Sequence, residues 1–183
     1  MGLNQMNDLR VLNLHDNRLS GTLVPRIVAD GMTPIRWQSL ETLNLAGNAL
    51  SGVLPPTFSL LRQLSDLDVS RNPWNTAFSE MFEPLIARHS WCSEWWTTIA
   101  GVPCSNLFSL RAHATKLSGT LPKEIFTLRV GVFSIKQSPH LRGPLPELPS
   151  ASLISDVILP FLYNSDNDPM QAAVQTDHWL VFD

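Results

Sequence analysis

The chain has 183 residues, with 13 Lys and Arg against 16 Asp and Glu, and a formal net charge of −3 at pH 7. This slightly acidic balance excludes a general nucleic-acid binder, which carries a basic surface. The most apolar run, residues 157–163, is far too short to cross a bilayer as a helix, so we expect no transmembrane segment in this chain.

One sequence pattern recurs along the chain and predicts its architecture. It is clearest from Leu40 to Pro56, LETLNLAGNALSGVLPP, which follows the order L-x-x-L-x-L-x-x-N-x-L-S-G-x-L-P. Other copies begin at residues 9, 64, 107 and 130; the copy at 64 loses its second half, and the copy at 130 has one extra residue. Such copies bury their leucines only by stacking on neighbours, so the pattern predicts a solenoid of five or six coils.

Within each copy, the order of residue types predicts a short strand followed by a turn. Leu43 and Leu45 alternate with polar residues, which is the period of a strand with one buried face. Asparagine follows the strand in three copies, at Asn17, Asn48 and Asn72, and its amide both donates and accepts hydrogen bonds. We therefore expect these asparagines to form a ladder that satisfies the turn backbone from coil to coil.

The run N-x-L-S-G-x-L-P, with 24 residues between Leu40 and Leu64, resembles the plant-type subclass of leucine-rich repeats. Its G-x-L-P ending is also similar to repeats in the surface antigens of kinetoplastid parasites and in plant receptor-like ectodomains. The resemblance covers most of residues 9–146. It implies an α/β fold: a curved solenoid with short parallel strands on the concave face and irregular or 3-10 segments on the convex face. Because these repeats serve mostly as binding scaffolds, it implies protein recognition rather than catalysis.

An insertion after the third copy predicts a helix. Thr76 to Arg88 places five apolar side chains at helical spacing, although Pro84 is expected to kink the helix. The apolar residues are Phe78, Met81, Phe82, Leu85 and Ile86. The chain also places four of its six tryptophans, at 74, 91, 95 and 96, in this region. They fit either an exposed binding patch or a small satellite core, and we favour the core.

Cys92 and Cys104 follow the predicted helix. Three chemical states are open to this pair: a disulfide, a zinc pair or free thiols. His89 precedes Cys92 by three residues, but a fourth ligand at suitable spacing is missing, so we expect no metal site. The segment resembles the N-terminal cap of plant-type repeats, in which two such cysteines form a disulfide, and the resemblance implies the same bond between Cys92 and Cys104 in an oxidising compartment. A cap in mid-chain implies either two repeat blocks joined head to tail or an interruption that breaks the solenoid.

These features divide the chain into four segments. Residues 1–75 form a first repeat block, 76–106 a cap-like helical insertion, 107–164 a second repeat block and 165–183 a C-terminal tail. We expect a last strand within residues 151–164, and the closing HWLVF is placed to fold back over the final leucines.

The predicted concave face is the candidate binding surface. Side chains that flank the buried strand leucines point outward. Their polar character fits two interpretations, a groove that binds a partner and a surface that is simply solvated. The predicted partner-binding residues are Asn13, His15, Asp16, Asn44, Asp66, Asp68, Arg71, Arg111, His113 and Lys136. They make the face acidic near the third copy and basic towards the fourth and fifth.

No nucleophile motif, phosphate-binding loop or distinctive carboxylate pair occurs in the sequence, so we expect no enzyme activity and no cofactor. The predicted function is non-catalytic recognition of a protein partner by a monomer. The alternatives are a structural spacer or fragment of a larger surface protein, and an intracellular adaptor or regulator of a signalling enzyme. The first residues, MGLNQMNDLR, have no signal-peptide pattern, whereas the resemblance suggests export. We therefore expect part of a longer extracellular or surface protein, or a cytoplasmic protein if the chain is complete.

Overall fold

The computed structural model describes residues 8–23, 37–90, 106–128 and 132–143. Predictions about Cys92, Cys104, the other tryptophans of the insertion and the segments after residue 143 lie outside the described residues. Within the described ranges the strands are β1 (Val11–Asn13), β2 (Ser20–Thr22), β3 (Thr42–Asn44), β4 (Ala49–Ser51), β5 (Asp66–Asp68), β6 (Ser109–Arg111), β7 (Ser118–Gly119), β8 (Val132–Ser134) and β9 (His140–Leu141). The helix α1 spans Phe78–Ser90, and 3-10 segments span Pro56–Leu60 and Lys123–Leu128.

Five of these strands form one parallel sheet in the order β1-β3-β5-β6-β8. Each contributes one coil, and we number the coils one to five in that order. The central residue of every strand aligns with its neighbour's and is buried, with 9% or less of its surface exposed. These residues are Leu12, Leu43, Leu67, Leu110 and Phe133. The register confirms the alternation predicted from the leucine spacing.

The insertion leaves the sheet continuous. β5 pairs directly with β6, and beyond the strands Val69 N–H donates to Arg111 O at 2.9 Å and Arg71 N–H to His113 O at 2.9 Å. Coil three therefore stacks on coil four with the same geometry as the other coils. The alternative prediction, that the insertion breaks the solenoid, is wrong. The division of the chain into four segments remains a prediction.

Short side strands lie at the next bend of the coils. β2 pairs with β4 and β7 with β9, both in parallel. In the described part of coil three this strand is replaced by an isolated bridge, Ala77 to Ser118, in which Ser118 N–H donates to Thr76 O at 3.0 Å. The backbone contact is thus kept where the third copy departs from the repeat pattern.

The helix α1 takes the convex position of coil three. It begins and ends two residues later than predicted, and it continues through Pro84, which is buried. It packs against both 3-10 segments, which belong to coils two and four. Four of the five predicted apolar residues are at most 4% exposed and Ile86 is partly buried, which confirms the predicted face. Phe78 stacks edge to face on Phe133 at 6.1 Å between ring centroids, so helix and coils share one core.

Trp74 lies in that shared core. It is fully buried, and its indole N–H donates to Val69 O at 2.8 Å. A core role was predicted for the tryptophans, but Trp74 belongs to the main core rather than to a separate satellite core. The reason is that α1 returns the chain onto the convex side of the coils, where it packs beside Trp74.

Candidate functional site

An asparagine ladder holds the first three coils in place below the concave face. Asn48 Nδ2 donates to Leu14 O of coil one at 3.0 Å, and its Oδ1 accepts Leu19 N–H at 3.1 Å. Asn72 repeats this geometry one coil later. Asn17 is exposed, and among the described residues its side chain bonds within its own turn, to Leu14 O and His15 O. Asn48 and Asn72, which have a preceding coil among the described residues, thus bond from coil to coil.

Two hydroxyl residues continue the ladder, and sequence reasoning missed them. Thr115 and Ser138 occupy the asparagine position of coils four and five, and both are buried. Thr115 Oγ1 donates to Ala112 O at 3.0 Å and lies 3.0 Å from Ser138 Oγ. Their position in the repeat could have identified them as members of the ladder. They were missed because threonine and serine replace the asparagine there.

The predicted partner-binding residues lie along the concave side of the sheet. The alternation of strand side chains places Asp66, Asp68 and Arg111 opposite the buried central leucines, and all three are partly exposed. Three of the acceptors also support their own turns: Asn13, Asn44 and Asp68 each accept the backbone N–H two residues later through Oδ1.

Small residues form the floor of this face at coils two and three. In the row that follows the strands, Ala46 is 2% and Ser70 1% exposed, whereas His15 in coil one is exposed and His113 in coil four partly exposed. The sequence pattern did not predict that these positions are buried, because small outward-facing residues become buried only when longer neighbours stand beside them.

An ion-pair cluster borders the floor and spans three coils. Arg71 Nη2 lies 3.1 Å from Asp16 Oδ1, and His15 Nδ1 lies 2.8 Å from Asp16 Oδ2. Because the ionised carboxylate only accepts, His15 Nδ1 carries the proton in this contact. The hydrogen bonds from His15 and then Arg71 lower the pKa of the Asp16 carboxyl. Sequence reasoning named all three residues but did not predict the pairing between coils one and three.

Gly47 makes room for this cluster. The equivalent turn position is left-handed in all five coils, with φ between 52° and 67°, and only coil two has glycine there. A Cβ on Gly47 would lie 2.1 Å from Asp16 Oδ1, so any side chain would displace the carboxylate that reaches across coil two to Arg71.

We expect Gly47→Ala to destabilise the protein more than Gly21→Ala. Both glycines have positive φ, so each alanine costs about 1–2 kcal/mol in backbone strain. A Cβ on Gly21 would meet no atom within 4 Å, so only Gly47→Ala also disrupts the ion-pair cluster. Urea unfolding of both variants, repeated in an Asp16→Ala background, checks this. The excess cost of Gly47→Ala should vanish in that background; if it persists, the ion pair is not its cause.

Basic side chains characterise the concave side of coils four and five. His113 is partly buried, and its Nδ1 has no hydrogen-bond partner in the described part of the chain. Burial lowers the pKa of His113; Asp68 opposes this, and Arg71, Arg111 and Lys136 lower it further. His113 is therefore an uncharged imidazole among cations near neutral pH.

The described residues contain no group of three or more His, Cys, Asp or Glu side chains that could hold a metal ion. Over the same ranges, no helix has the length and apolarity required to span a membrane.

Comparisons with known proteins agree with this architecture. The family model described as Leucine Rich Repeat matches residues 8–28 and 39–61. The BIR2 ectodomain from Arabidopsis thaliana is 30% identical with a TM-score of 0.53; the match covers 74% of this chain and 57% of that one. The LRR ectodomain of the receptor kinase SOBIR1, also from Arabidopsis thaliana, is 23% identical with a TM-score of 0.53, covering 79% and 64%. That second likeness shows the fold alone.

A third solved structure contains a bound partner. The plant peptide hormone receptor RGFR1 in complex with RGF2 is 26% identical with a TM-score of 0.52; the match covers 76% of this chain and 18% of that one. This chain thus spans less than two thirds of each of these proteins. No curated protein matches the sequence. The repeat matches, the sheet of stacked coils and the solved neighbours agree: the chain folds as a leucine-rich repeat solenoid, similar to those of plant receptor ectodomains.

Proposed function

We propose that this chain is a non-catalytic recognition module that binds a protein or peptide partner along its concave face, as part of a surface or secreted protein. The observation that carries this proposal is the contrast between repeated and varied positions. The central strand residues are buried and apolar in all five described coils, whereas the adjoining concave positions hold amides in coils one and two and then a carboxylate, a guanidinium and a hydroxyl. That concave row reads Asn13, Asn44, Asp68, Arg111 and Ser134.

Packing explains the repeated positions but not the varied ones. Stacking requires apolar core residues and ladder residues in each coil, while an outward-facing side chain is free of that requirement. A row of different charges and amides on a rigid sheet provides distinct contacts for an extended partner, and rigidity lowers the entropic cost of binding. The likeness to the BIR2 ectodomain and to a plant peptide hormone receptor in complex with RGF2 supports a binding role on the extracellular side.

The test compares two variants with matched charge reversals. Asp66→Arg with Arg111→Glu changes the concave face, and Glu83→Arg with Lys123→Glu changes exposed residues of α1 and the second 3-10 segment on the convex side. Each tagged variant and the wild type capture partners from the native source, and captured proteins are quantified by mass spectrometry. We expect a specific partner to be lost about tenfold or more from the concave variant only, because like charges at an interface cost several kcal/mol.

Both variants should unfold at the same temperature as the wild type, which excludes misfolding as the cause. A partner retained by the concave variant and lost from the convex variant would place recognition on the other side of the solenoid and refute the proposal.

A further inference from the structure

Arg111, His113 and Lys136 form a group that we call the basic cluster. Arg111 ends β6 and His113 follows two residues later on the same side of the sheet. Lys136 lies beside His113 on coil five, because Ala114 N–H donates to Lys136 O at 2.7 Å and fixes the register. From strand rise and strand spacing, the three Cα atoms lie within about 8 Å of one another.

The two permanent cations of the cluster have no ion pair in residues 8–23, 37–90, 106–128 and 132–143. In the same ranges Arg10 pairs with Glu41, and Arg71 pairs with Asp16. Asp68 lies opposite Arg111 in register, but its Oδ1 accepts both the N–H and the hydroxyl of Ser70 instead. The charges of Arg111 and Lys136 are therefore available to a ligand.

Two buried polar atoms beside these cations also lack partners among the described residues. One is His113 Nδ1, and the other is the hydroxyl of Ser109, which lies two residues before Arg111 on the concave side of β6 and is 1% exposed. A buried polar group without a hydrogen bond costs free energy, and a ligand recovers that cost if the His113 ring or the Ser109 hydroxyl rotates to meet it. This observation is independent of the charges and points to the same strand.

We propose that the basic cluster is an anion subsite that takes carboxylate side chains from an acidic segment of the polypeptide partner. The inference rests on the proposed function, because it assigns the chemistry of a partner on that same face. A carboxylate accepts hydrogen bonds from Arg111 and Lys136, and its charge favours a protonated His113, whose Nδ1 can then donate. A long polyanion fits worse, because Asp66 and Asp68 lie on the adjacent strand and repel it.

The experiment measures binding of a fluorescein-labelled hexaglutamate peptide to the full chain by fluorescence anisotropy, with a serine–glycine peptide of equal length as the neutral probe. We expect binding of hexaglutamate only, weakened by added salt. Arg111→Ala and Lys136→Ala should each weaken it about three- to fivefold. Lys123→Ala removes an exposed cation on the convex side and should leave the affinity unchanged.

The titration of His113 is a measurement that would stay unchanged if the basic cluster had a purely structural role. Its imidazole carbon–proton NMR signal, followed against pH, should report a higher pKa with hexaglutamate bound than without. Asp68, Arg71, Arg111 and Lys136 influence this imidazole, so the same titration in Arg111→Ala should show a smaller rise on binding. An unchanged His113 titration, or equal binding by all variants, would overturn the subsite.

A second arm tests whether the carboxylates come from the chain itself. Residues 144–183 contain six Asp and Glu and no Lys or Arg. If hexaglutamate binds only after Asp166, Asp168 and Asp177 are changed to Asn, the chain's own segment occupies the cluster, and the assignment to a partner is overturned.

Failure of the subsite is distinguishable from failure of the proposed function. A native partner that is lost from Asp66→Arg but retained by Arg111→Ala would leave recognition by the concave face standing and would reject the subsite.

Discussion

We expect Asn72→Ala to lower the free energy of unfolding by about 3 kcal/mol. The buried amide has four hydrogen-bonding partners: the two N–H groups of Nδ2 are shared among Leu45 O, Val69 O and Ser70 O, and Oδ1 accepts Leu50 N–H. Each bond contributes about 1 kcal/mol net. The carbonyls keep other donors, such as Trp74 Nε1 on Val69 O, so Leu50 N–H is the group left without its partner.

Asn17→Ala is the matched control for this prediction. Asn17 occupies the same repeat position, but it is exposed and, within the described ranges, bonds only to its own turn, so its loss should cost less than about 1 kcal/mol. Urea unfolding with a common m-value gives both numbers, and hydrogen exchange at Leu50 N–H locates the effect between coils two and three. Equal costs for the two variants would show that the ladder does not hold the coils together.

We expect Trp74→Ala to destabilise the protein by about 4 kcal/mol and Trp74→Phe by about 1–2 kcal/mol. The indole is fully buried between the coils and α1, so alanine leaves a large cavity. Phenylalanine keeps most of the apolar volume and removes the hydrogen bond to Val69 O, which still accepts from Asn72 Nδ2 at 3.2 Å.

Thermal and urea unfolding of the two Trp74 variants separate packing from hydrogen bonding. If the phenylalanine variant is as unstable as the alanine variant, the hydrogen bond rather than the volume stabilises this region. Glu83→Ala, at an exposed position of α1, serves as the surface control and should change stability by less than about 0.5 kcal/mol. A comparable loss in that variant would mean that α1 itself, not Trp74, is the sensitive element.

These two residues connect the core to the proposed function. Asn72 and Trp74 both bond to the backbone that directly follows β5, and the concave residues Asp68 and Arg71 lie on or beside that strand. A strand fixed from beneath presents its outward side chains in one arrangement, which lowers the entropic cost of binding a partner. Variants that weaken this support should therefore weaken recognition even though they do not touch the partner.

Spacing within a coil was enough to predict several features of the site. The strand alternation, the apolar face of α1 and the bonds of Asn48 and Asn72 all follow from local periodicity, because a residue two or four positions away has a nearly fixed direction in a strand or helix. The concave position of Asp66, Asp68 and Arg111 follows for the same reason. Thr115 and Ser138 escaped prediction because their repeat position was kept while their residue type changed.

The sequence by itself determined the coil: which leucines turn inward, which side chains flank them on the concave side and which face of the outer helix is apolar. Only the tertiary structure decided how the coils meet, because the register between neighbouring strands depends on where the chain leaves the sheet for each insertion and where it returns to the sheet. It showed that β5 pairs with β6 across the insertion, and that Arg71 reaches Asp16 over Gly47. Contacts between residues so distant in the chain carry no local period, and they become visible only when the coils are stacked.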